Sequence, residues 1–308
     1  MALTFLTEFD PRYGEAVEVR PGIRRVVAEN PNKFTAWGTG TYLVGEGDVA
    51  VVDAGPASEE HAAAVLRAVE DAGGRVTHLL VTHTHADHSP ATALLRERTG
   101  ATTYGFGPHP VAADADAAPA EEHGDLDFVP DVAVRHGDVV EGPTFRFECL
   151  HTPGHISNHV CYSERRRNVL FPGDHVMGWS TSVISPPDGR IADYLASLRL
   201  LLDRDETTYL PTHGPQIDDP RPYVAALVEH RLERERQIVG QLSLGPRTPE
   251  EIVAVLYADV RQELHEPAAR SVRAHLVALV EAGRAEELPD GRFVPPGGGR
   301  TPDPGPIP

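Results

Sequence analysis

Cysteine is scarce in this sequence, because the 308 residues include only Cys149 and Cys161. Neither belongs to a CxxC pair, so cysteine-ligated zinc modules and disulfide-rich secreted scaffolds are excluded. We expect both side chains to be reduced thiols that are buried as small apolar groups. This cysteine usage predicts a cytoplasmic protein.

Lysine and long apolar runs are also scarce. Lys33 is the only lysine, and no stretch approaches the roughly eighteen apolar residues of a membrane-spanning helix. The N-terminus, "MALTFLTEFDPRYGEA", lacks the basic start and the apolar core of a signal peptide.

The formal net charge is −18 and the pI is about 5.3. A surface this acidic repels nucleic acid and anionic membranes unless a local basic patch intervenes.

Short apolar strands alternate with amphipathic helices before residue 216. Residues 40–55 form a predicted hairpin that turns at "GEGD", and residues 58–74 and 191–205 have the pattern of amphipathic helices. Residues 76–83 form a predicted strand that ends in a histidine cluster. Helices therefore lie between strands, and histidines end several strands. This pattern predicts an α/β (α+β) fold in which helices cover two sheets, an αββα sandwich.

The composition changes after residue 219. Residues 220–240 form a charged predicted helix, and two further helices at 248–257 and 266–283 precede a hairpin that turns at "PDG". This order is typical of a winged helix, and the Gly- and Pro-rich end should be disordered. We predict a large first domain over 1–219, a helical linker and winged-helix domain over 220–296, and a disordered tail over 297–308.

Four candidate metal ligands lie close together in the stretch "HTHADH". His83 and His85 project the same way from an extended backbone, and Asp87 and His88 follow where the chain turns into a helix. Imidazole and carboxylate are ligands that zinc accepts. Because four such groups would crowd one ion, we expect them to be divided between two.

Further candidate ligands lie at other strand ends, beside Gly or Pro turns. "HTPGH" offers His151 and His155, "FPGDH" offers Asp174 and His175, and "LPTHGP" offers His213. Strand ends on a rigid scaffold are the usual place for site residues. A structural role in a turn is the alternative for His155 and His175. The residues alone predict a metal site that several distant segments share.

These motifs, in this order and at these intervals, resemble the metallo-beta-lactamase fold superfamily over residues 17–215. The resemblance implies the αββα sandwich and a two-metal site in which Asp174 bridges the metals. It assigns His83, His85 and His151 to one metal, and Asp87, His88 and His213 to the other. Asp53, in "VVDAG", matches an aspartate that supports a metal ligand in this family, although a turn cap is equally compatible.

Three stretches narrow the resemblance. "NPNKFTAWGTGTYLVG", "GHISNHVCY" and the C-terminal winged helix are similar to the lactamase-beta-like protein 2 group. Proteins of that group are hydrolases, and some are described as endoribonucleases. The resemblance implies membership of this group but does not imply which substrate the protein hydrolyses.

Two metals about 3.5–4 Å apart share one hydroxide and clamp the attacking and leaving oxygens. The expected reaction is therefore attack by a metal-bridging hydroxide, with Asp87 and Asp174 as the catalytic residues and Asp87 orienting the hydroxide or carrying a proton. The expected cofactors are two Zn²⁺ ions. Fe and Mn are alternatives, since the ligand set contains only nitrogen and oxygen.

Hydrolysis of a small acyl (thio)ester is the leading substrate prediction. The alternatives are an endoribonuclease or phosphodiesterase, a lactonase or beta-lactamase, and a winged-helix regulatory protein that binds nucleic acid. The acidic charge disfavours nucleic acid, although short RNA stays open. Met177 stands where lactonases of this family often carry Tyr, and a beta-lactamase would need an export signal. The winged helix is expected to shape the site mouth or a homodimer interface.

The substrate pocket is expected between residues 177–189 and the loop at 105–130. Trp179, Phe106 and Tyr194 are candidates for an apolar wall, with helix packing as the alternative for Tyr194. His159 is a candidate for contact with substrate or for support of a metal ligand. The irregular part of the loop, 108–128, is expected to be a surface excursion or a lid.

Overall fold

Two β-sheets pack face to face at the centre of the molecule. The computed structural model describes residues 3–110 and 124–298. The first sheet contains seven strands that pair in chain order: β1 (Val17–Arg20), β2 (Ile23–Val27), β3 (Gly40–Val44), β4 (Asp48–Val52), β5 (Arg75–Leu80), β6 (Thr102–Gly105) and β7 (Val132–Ala133). The predicted hairpin at 40–55 is the antiparallel pair β3–β4.

The second sheet contains six strands and also pairs in chain order. Its members are β8 (Val139–Glu141), β9 (Arg146–His151), β10 (Val160–Glu164), β11 (Val169–Phe171), β12 (Thr208–Tyr209) and β13 (Ile217–Asp218). β4, β5 and β6 pair in parallel, as do β11 and β12. Since parallel strands end at the same edge of a sheet, their following loops meet there.

Side chains of the strands alternate between the centre of the sandwich and its outer faces. In β10, Val160 and Tyr162 lie in the central core, whereas Cys161 packs into the outer cluster. Phe145 and Phe147 of the neighbouring segment are fully buried in the central core. Burying side chains of this size stabilises the fold by about 1.5–3 kcal/mol each. The central core therefore holds the two sheets against each other.

Four helices cover the outer faces. The first sheet carries α1 (Glu59–Glu70) and α2 (Ala91–Thr99), and the second carries α3 (Ile191–Leu202) and α4 (Pro220–Leu242). As predicted, α1 begins after Ser58, whose hydroxyl accepts a hydrogen bond from the His61 amide at 3.2 Å. α2 ends at Gly100, which has a φ of 69°. The predicted αββα sandwich is confirmed.

The C-terminal part has a small core of its own. It contains α5 (Pro249–Leu256), a 3₁₀ turn (Gln262–Leu264), α6 (His265–Glu281) and a hairpin of β14 (Glu286–Glu287) and β15 (Phe293–Val294). Ile252, Leu276 and Phe293 are fully buried in this core. The order of two helices and a hairpin confirms the predicted winged helix.

Two predicted features lie outside the described residues, in full or in part. They are residues 111–123 of the loop at 108–128 and residues 299–308 of the expected tail. The division of the chain at residues 219 and 296 stays a prediction. None of the helices between residues 3 and 298 that the structure describes combines the length and the apolar composition that crossing a bilayer requires.

Candidate metal centre

The candidate site lies at one end of the sandwich, where the loops after several strands meet. The stretch 83–88 follows β5 and precedes α2, so the chain leaves the sheet directly into the histidine cluster. Three other segments supply the remaining side chains: the turn between β9 and β10, the loop after β11 and the loop after β12. Polar residues of distant segments are therefore brought together by the ends of the strands.

Three overlapping groups of His and Asp side chains form the cluster. Within each group the candidate ligand atoms all lie within 4.8 Å of one another. The groups are His83, His85 and His155; His83, His88 and Asp174; and Asp87, His88 and His213. His83 belongs to the first two groups and His88 to the last two. The side chains thus form one continuous cluster of three overlapping groups.

The structure corrects the placement of His151. This residue still belongs to β9, where it pairs with Val160, and its ring stacks on Phe106 with centroids 4.1 Å apart. Its Nε2 donates to the Ser157 carbonyl oxygen at 2.9 Å, so the side chain is directed away from the cluster. His155 lies in the cluster instead, with its Nε2 at 3.0 Å from His85 Nδ1.

The physical reason is the turn between the two residues. Gly154 has a φ of 141°, and an added Cβ there would come within 2.3 Å of Tyr194 Cα. The turn packs tightly against the start of α3 and presents His155 towards the cluster. The other predicted ligands are brought together as expected: His83, His85, Asp87, His88, Asp174 and His213. Their binding of metal stays a prediction.

Asp53 links the loops behind the cluster. It is fully buried at the end of β4 with a φ of 52°, a backbone conformation that is strained for a side chain other than Gly. Its carboxylate accepts hydrogen bonds from the Thr82 amide at 2.8 Å and from the hydroxyls of Thr82 and Thr212. His88 Nδ1 donates to it at 2.9 Å, which orients the His88 Nε2 towards the cluster. The structure thus places Asp53 where the sequence predicts a supporting aspartate.

Burial controls the protonation of the histidines. Burial and the neighbouring imidazoles lower the pKa values of His83 and His85 well below the ordinary value, so both rings are neutral at neutral pH. Burial also disfavours the charged form of His88, but Asp87, Asp174 and Asp53 outweigh it and raise the pKa of His88. In the absence of a metal ion, a proton on His88 partly balances the surrounding carboxylates.

The carboxylates fit a cation. Burial opposes the ionisation of Asp87 and Asp174, but His88 and His213 outweigh this effect and lower both pKa values. Within the described ranges the ion-pair partners of these two carboxylates are all histidines, and Asp174 Oδ1 is buried without a hydrogen-bond partner. Imidazole nitrogens together with ionised carboxylates are a donor set that suits divalent cations.

Two of the weaker candidates lie behind the cluster. His159 is fully buried, its Nδ1 lies 2.9 Å from the Thr152 hydroxyl, and its ring stacks on His83 at 5.1 Å. It therefore packs behind His83, and its role stays a prediction. Tyr194 is also fully buried and donates from its hydroxyl to the His175 carbonyl oxygen at 3.0 Å. Tyr194 packs in the core cluster under α3, and Phe106 stacks on His151; whether either residue contacts a substrate stays a prediction.

Trp179 lies beside the cluster as part of an aromatic wall. Its ring meets the edge of Trp37 at 6.3 Å, and Trp37 contacts Phe9 at 5.4 Å. An added Cβ at Gly214, the residue after His213, would come within 3.0 Å of Trp179 and 3.3 Å of Trp37. The wall is therefore adjacent to the group Asp87, His88 and His213. Sequence reasoning missed Trp37 and Phe9, although "NPNKFTAWGTG" contains Trp37.

His155 carried a signal that a reading of the sequence could have used. Glycine directly before it marks a tight turn, and functional side chains are common on such turns. His151, in contrast, continues the alternation of β9, where the side-chain direction follows from the sheet. Trp37 and Phe9 carried no comparable signal because their contacts join segments far apart in the chain.

The chain matches two models of known protein families. The model of the metallo-beta-lactamase superfamily matches residues 35–213, which include every side chain of the cluster. The model of the beta-lactamase associated winged helix domain matches residues 248–292. The first match lies within the sandwich and the second within the small C-terminal part.

Similar proteins include curated relatives and solved structures. An atrochrysone carboxyl ACP thioesterase from Pseudocercospora fijiensis is 28% identical over 82% of this chain and 72% of its own length. The lactamase-like protein ptaB from Pestalotiopsis fici is 27% identical over 84% of this chain and 79% of its own length. A crystal structure of a beta-lactamase domain protein from Burkholderia ambifaria has a TM-score of 0.78 at 22% identity, covering 95% of this chain and 97% of that chain.

Proposed function

The chain belongs to the metallo-beta-lactamase superfamily, and from that premise we propose that it is a two-metal hydrolase that cleaves acyl thioesters. The observation that carries the proposal is the continuous cluster of three overlapping His/Asp groups. A hydrolase with this fold is typical of the family. We further propose that the protein binds two metal ions and that its substrate is an acyl thioester.

The geometry supports a specific division of ligands. We assign His83, His85 and His155 to one metal and Asp87, His88 and His213 to the other. Asp174 lies between them, since it groups with His83 of the first set and His88 of the second. Zinc is the proposed metal, with iron or manganese as the alternative for this nitrogen and oxygen donor set. Such ions, when bound, acidify water towards neutral pH and polarise a carbonyl group.

The protein side chains orient the reactants. Asp87 is the more exposed of the two cluster carboxylates, with 17% of its side chain accessible against 12% for Asp174. It is therefore the carboxylate that can hold the attacking water and accept its proton. His213 Nε2 lies 3.2 Å from Asp87 Oδ2, so these two candidate ligands of the second metal converge on one point. Asp53 fixes His88 from behind.

Thioester chemistry suits this site because a thiolate leaves without prior protonation. Ordinary thiols have a pKa of about 8.5, so the leaving group needs little help near neutral pH. A relative is named an ACP thioesterase, and the aromatic wall of Phe9, Trp37 and Trp179 offers apolar surface beside the second metal group. We propose that this wall contacts the acyl group.

The charge distribution disfavours nucleic acid as substrate or partner. On α6, which would be the recognition helix of a DNA-binding winged helix, Arg270 pairs with Glu266 and Arg273 with Glu287. Such pairs reduce the positive charge available for phosphates, and the chain as a whole carries a net charge of −18. The proposal is therefore a small acyl substrate rather than RNA or DNA.

The test is metal analysis followed by a matched substrate panel. Purified protein should contain two equivalents of a divalent metal and should hydrolyse acyl thioesters faster than the oxoesters of the same acyl groups. Lactones, a phosphodiester and a short RNA complete the panel, and Asp174→Ala should abolish turnover and lower the metal content. Fast cleavage of RNA alone, or full turnover by Asp174→Ala with both metals retained, would overturn the proposal.

A further inference from the structure

The segment that follows Asp174 is held by α4, the long helix that covers the second sheet. On α4, the Tyr223 hydroxyl lies 2.9 Å from the carbonyl oxygens of both Met177 and Gly178. The guanidinium of Arg231, two turns further along α4, donates to the Ser182 carbonyl oxygen. Residues 177–182 are therefore tied to α4 at two points, and this segment leads directly away from the metal cluster.

Arg231 is unusual because it is a buried cation without an acidic partner. Only 3% of the residue is exposed, and no carboxylate in the described part of the chain forms an ion pair with it. Its Nε has no hydrogen-bond partner among residues 3–110 and 124–298, and its guanidinium lies 5.1 Å from the centre of the Tyr194 ring. Burying an unpaired charge is costly, so a buried arginine at this point calls for a physical explanation.

The contacts of Arg231 lead to the backbone of Asp174. The Ser182 hydroxyl donates to the Asp174 carbonyl oxygen and also lies 3.1 Å from the His175 carbonyl oxygen. The Tyr194 hydroxyl donates to the same His175 carbonyl oxygen at 3.0 Å and lies 3.2 Å from the Ser182 hydroxyl. Both residues that hold the guanidinium thus also hold the main chain at 174–175.

We propose that Arg231 is a positioning residue for the metal centre, acting on Asp174 through Ser182 and Tyr194. α4 then helps to keep the bridging carboxylate in place, in addition to covering the second sheet. The inference rests on the proposed metal site. A protein that binds no divalent metal would contradict the proposed function, whereas a protein that binds metal independently of Arg231 would contradict only this inference.

The experiment compares two arginines of α4 in the full chain. Arg231→Met removes the donor and the charge but keeps a long apolar side chain. Arg234→Met is the matched control, because Arg234 stacks on Tyr257 at 4.1 Å and donates to the Leu256 carbonyl oxygen, both in the C-terminal core. The readout is the Zn²⁺ dissociation constants, measured by competition with a chromogenic chelator, together with the melting temperature of the metal-free protein.

The expected result is Zn²⁺ affinity weakened by about 10–100-fold in Arg231→Met, as for other residues that orient metal ligands, and unchanged in Arg234→Met. Arg231→Lys should restore part of the affinity, since an ammonium group still donates to the Ser182 carbonyl oxygen. A lower melting temperature in Arg231→Met with wild-type Zn²⁺ affinity would mean a purely structural role and would overturn the inference.

A second variant keeps the test decisive if Arg231→Met does not fold. Ser182→Ala retains the main-chain acceptor of Arg231 and removes the hydroxyl that contacts the carbonyl oxygens of Asp174 and His175 and the Tyr194 hydroxyl. It should weaken Zn²⁺ binding in the same direction, and its effect should not add to that of Arg231→Lys, because both act along one path. Wild-type affinity in Ser182→Ala would overturn the proposed path.

Discussion

At the scale of single residues, the two histidines of "HTPGH" lie four residues apart in the sequence but have different contacts in the structure. His151 is held by the sheet and by Phe106, whereas His155 is presented to the cluster by the turn at Gly154. Both residues are partly buried imidazoles, so residue type and burial do not distinguish them. The contacts of each imidazole ring distinguish the two residues.

A pair of substitutions separates the two roles. His155→Asn should lose metal from the first group and lower kcat/KM by at least about 100-fold, because a lost ligand weakens the site more than a lost supporting contact. His151→Asn should keep the metal content of the wild type, since it removes only the bond to Ser157 and the stacking on Phe106. Metal analysis and thioester kinetics on both variants give the answer. The opposite ranking would return His151 to the ligand set.

Asp53 offers a second residue-scale prediction. Asp53→Asn preserves the backbone, because Asn tolerates a positive φ, but it loses the charge and half of the acceptor capacity that Thr82, Thr212 and His88 use. Metal affinity should fall by about 10–100-fold. Chelator competition measures this change.

The matched control for Asp53 lies away from the site. Asp131 accepts hydrogen bonds from the Thr103 amide and hydroxyl in a similar way, at 3.0 Å each, yet it is far from the cluster in the fold. Asp131→Asn should lower stability by about 1 kcal/mol with metal affinity unchanged. Equal metal affinities in both variants would show that Asp53 is only a turn cap.

At the scale of secondary-structure elements, the site depends on how closely the turn at 152–155 approaches α3. Gly154→Ala would place a methyl group within 2.4 Å of the Tyr194 backbone nitrogen, so either the turn or the helix must move. The expected loss of stability is about 3 kcal/mol or more, accompanied by loss of metal. Chemical denaturation and metal analysis report the two effects.

Gly137 is the control for the cost of the backbone conformation itself. It has a φ of 87°, and an added Cβ there would meet nothing within 4 Å. Gly137→Ala should therefore cost only about 1 kcal/mol and leave the metal content unchanged. If the two glycine variants behave alike, close packing on α3 is not what holds His155.

The elements themselves were predictable to different degrees. α1 and α2 were predictable from Ser58 and Gly100, which are local signals for helix ends, and the winged helix was predictable from its spacing of helices and turn. The candidate ligands at 83–88 were also predictable, because they lie within one short motif. The choice of His155 over His151 was not, since it depends on the packing of a turn against a helix from another part of the chain.

At the scale of the whole molecule, acid stability should depend on buried histidines outside the site. His275 is almost fully buried on α6, and both of its ring nitrogens lack hydrogen-bond partners among the described residues. Burial, with Arg231, Arg234 and His230 nearby, lowers the pKa of His275 to about 3. The unfolded chain therefore binds a proton at this residue between pH 6.5 and about 3, while the folded chain does not.

The sign of the effect follows from this difference. The free energy of unfolding therefore has its full value above pH 6.5 and decreases as the pH falls towards 3. The decrease that is due to His275 is about 2 kcal/mol at pH 5. His275→Leu, which fills a similar volume without a titratable group, should flatten the dependence of unfolding free energy on pH over this range. The exposed His136, replaced by Gln, serves as a surface control for the loss of an imidazole. Denaturant unfolding at pH 7, 6 and 5 measures the slopes.

The sequence by itself determined the αββα sandwich, the winged helix and most of the His/Asp set, because strand alternation, helix caps and a compact ligand motif are local properties of the chain. Tertiary structure alone decided that His155 replaces His151, that Phe9 and Trp37 join Trp179, and that Arg231 reaches the main chain of Asp174 through Ser182. These contacts join segments far apart in the chain. They depend on the turn geometry and packing of the whole molecule, which no local pattern encodes.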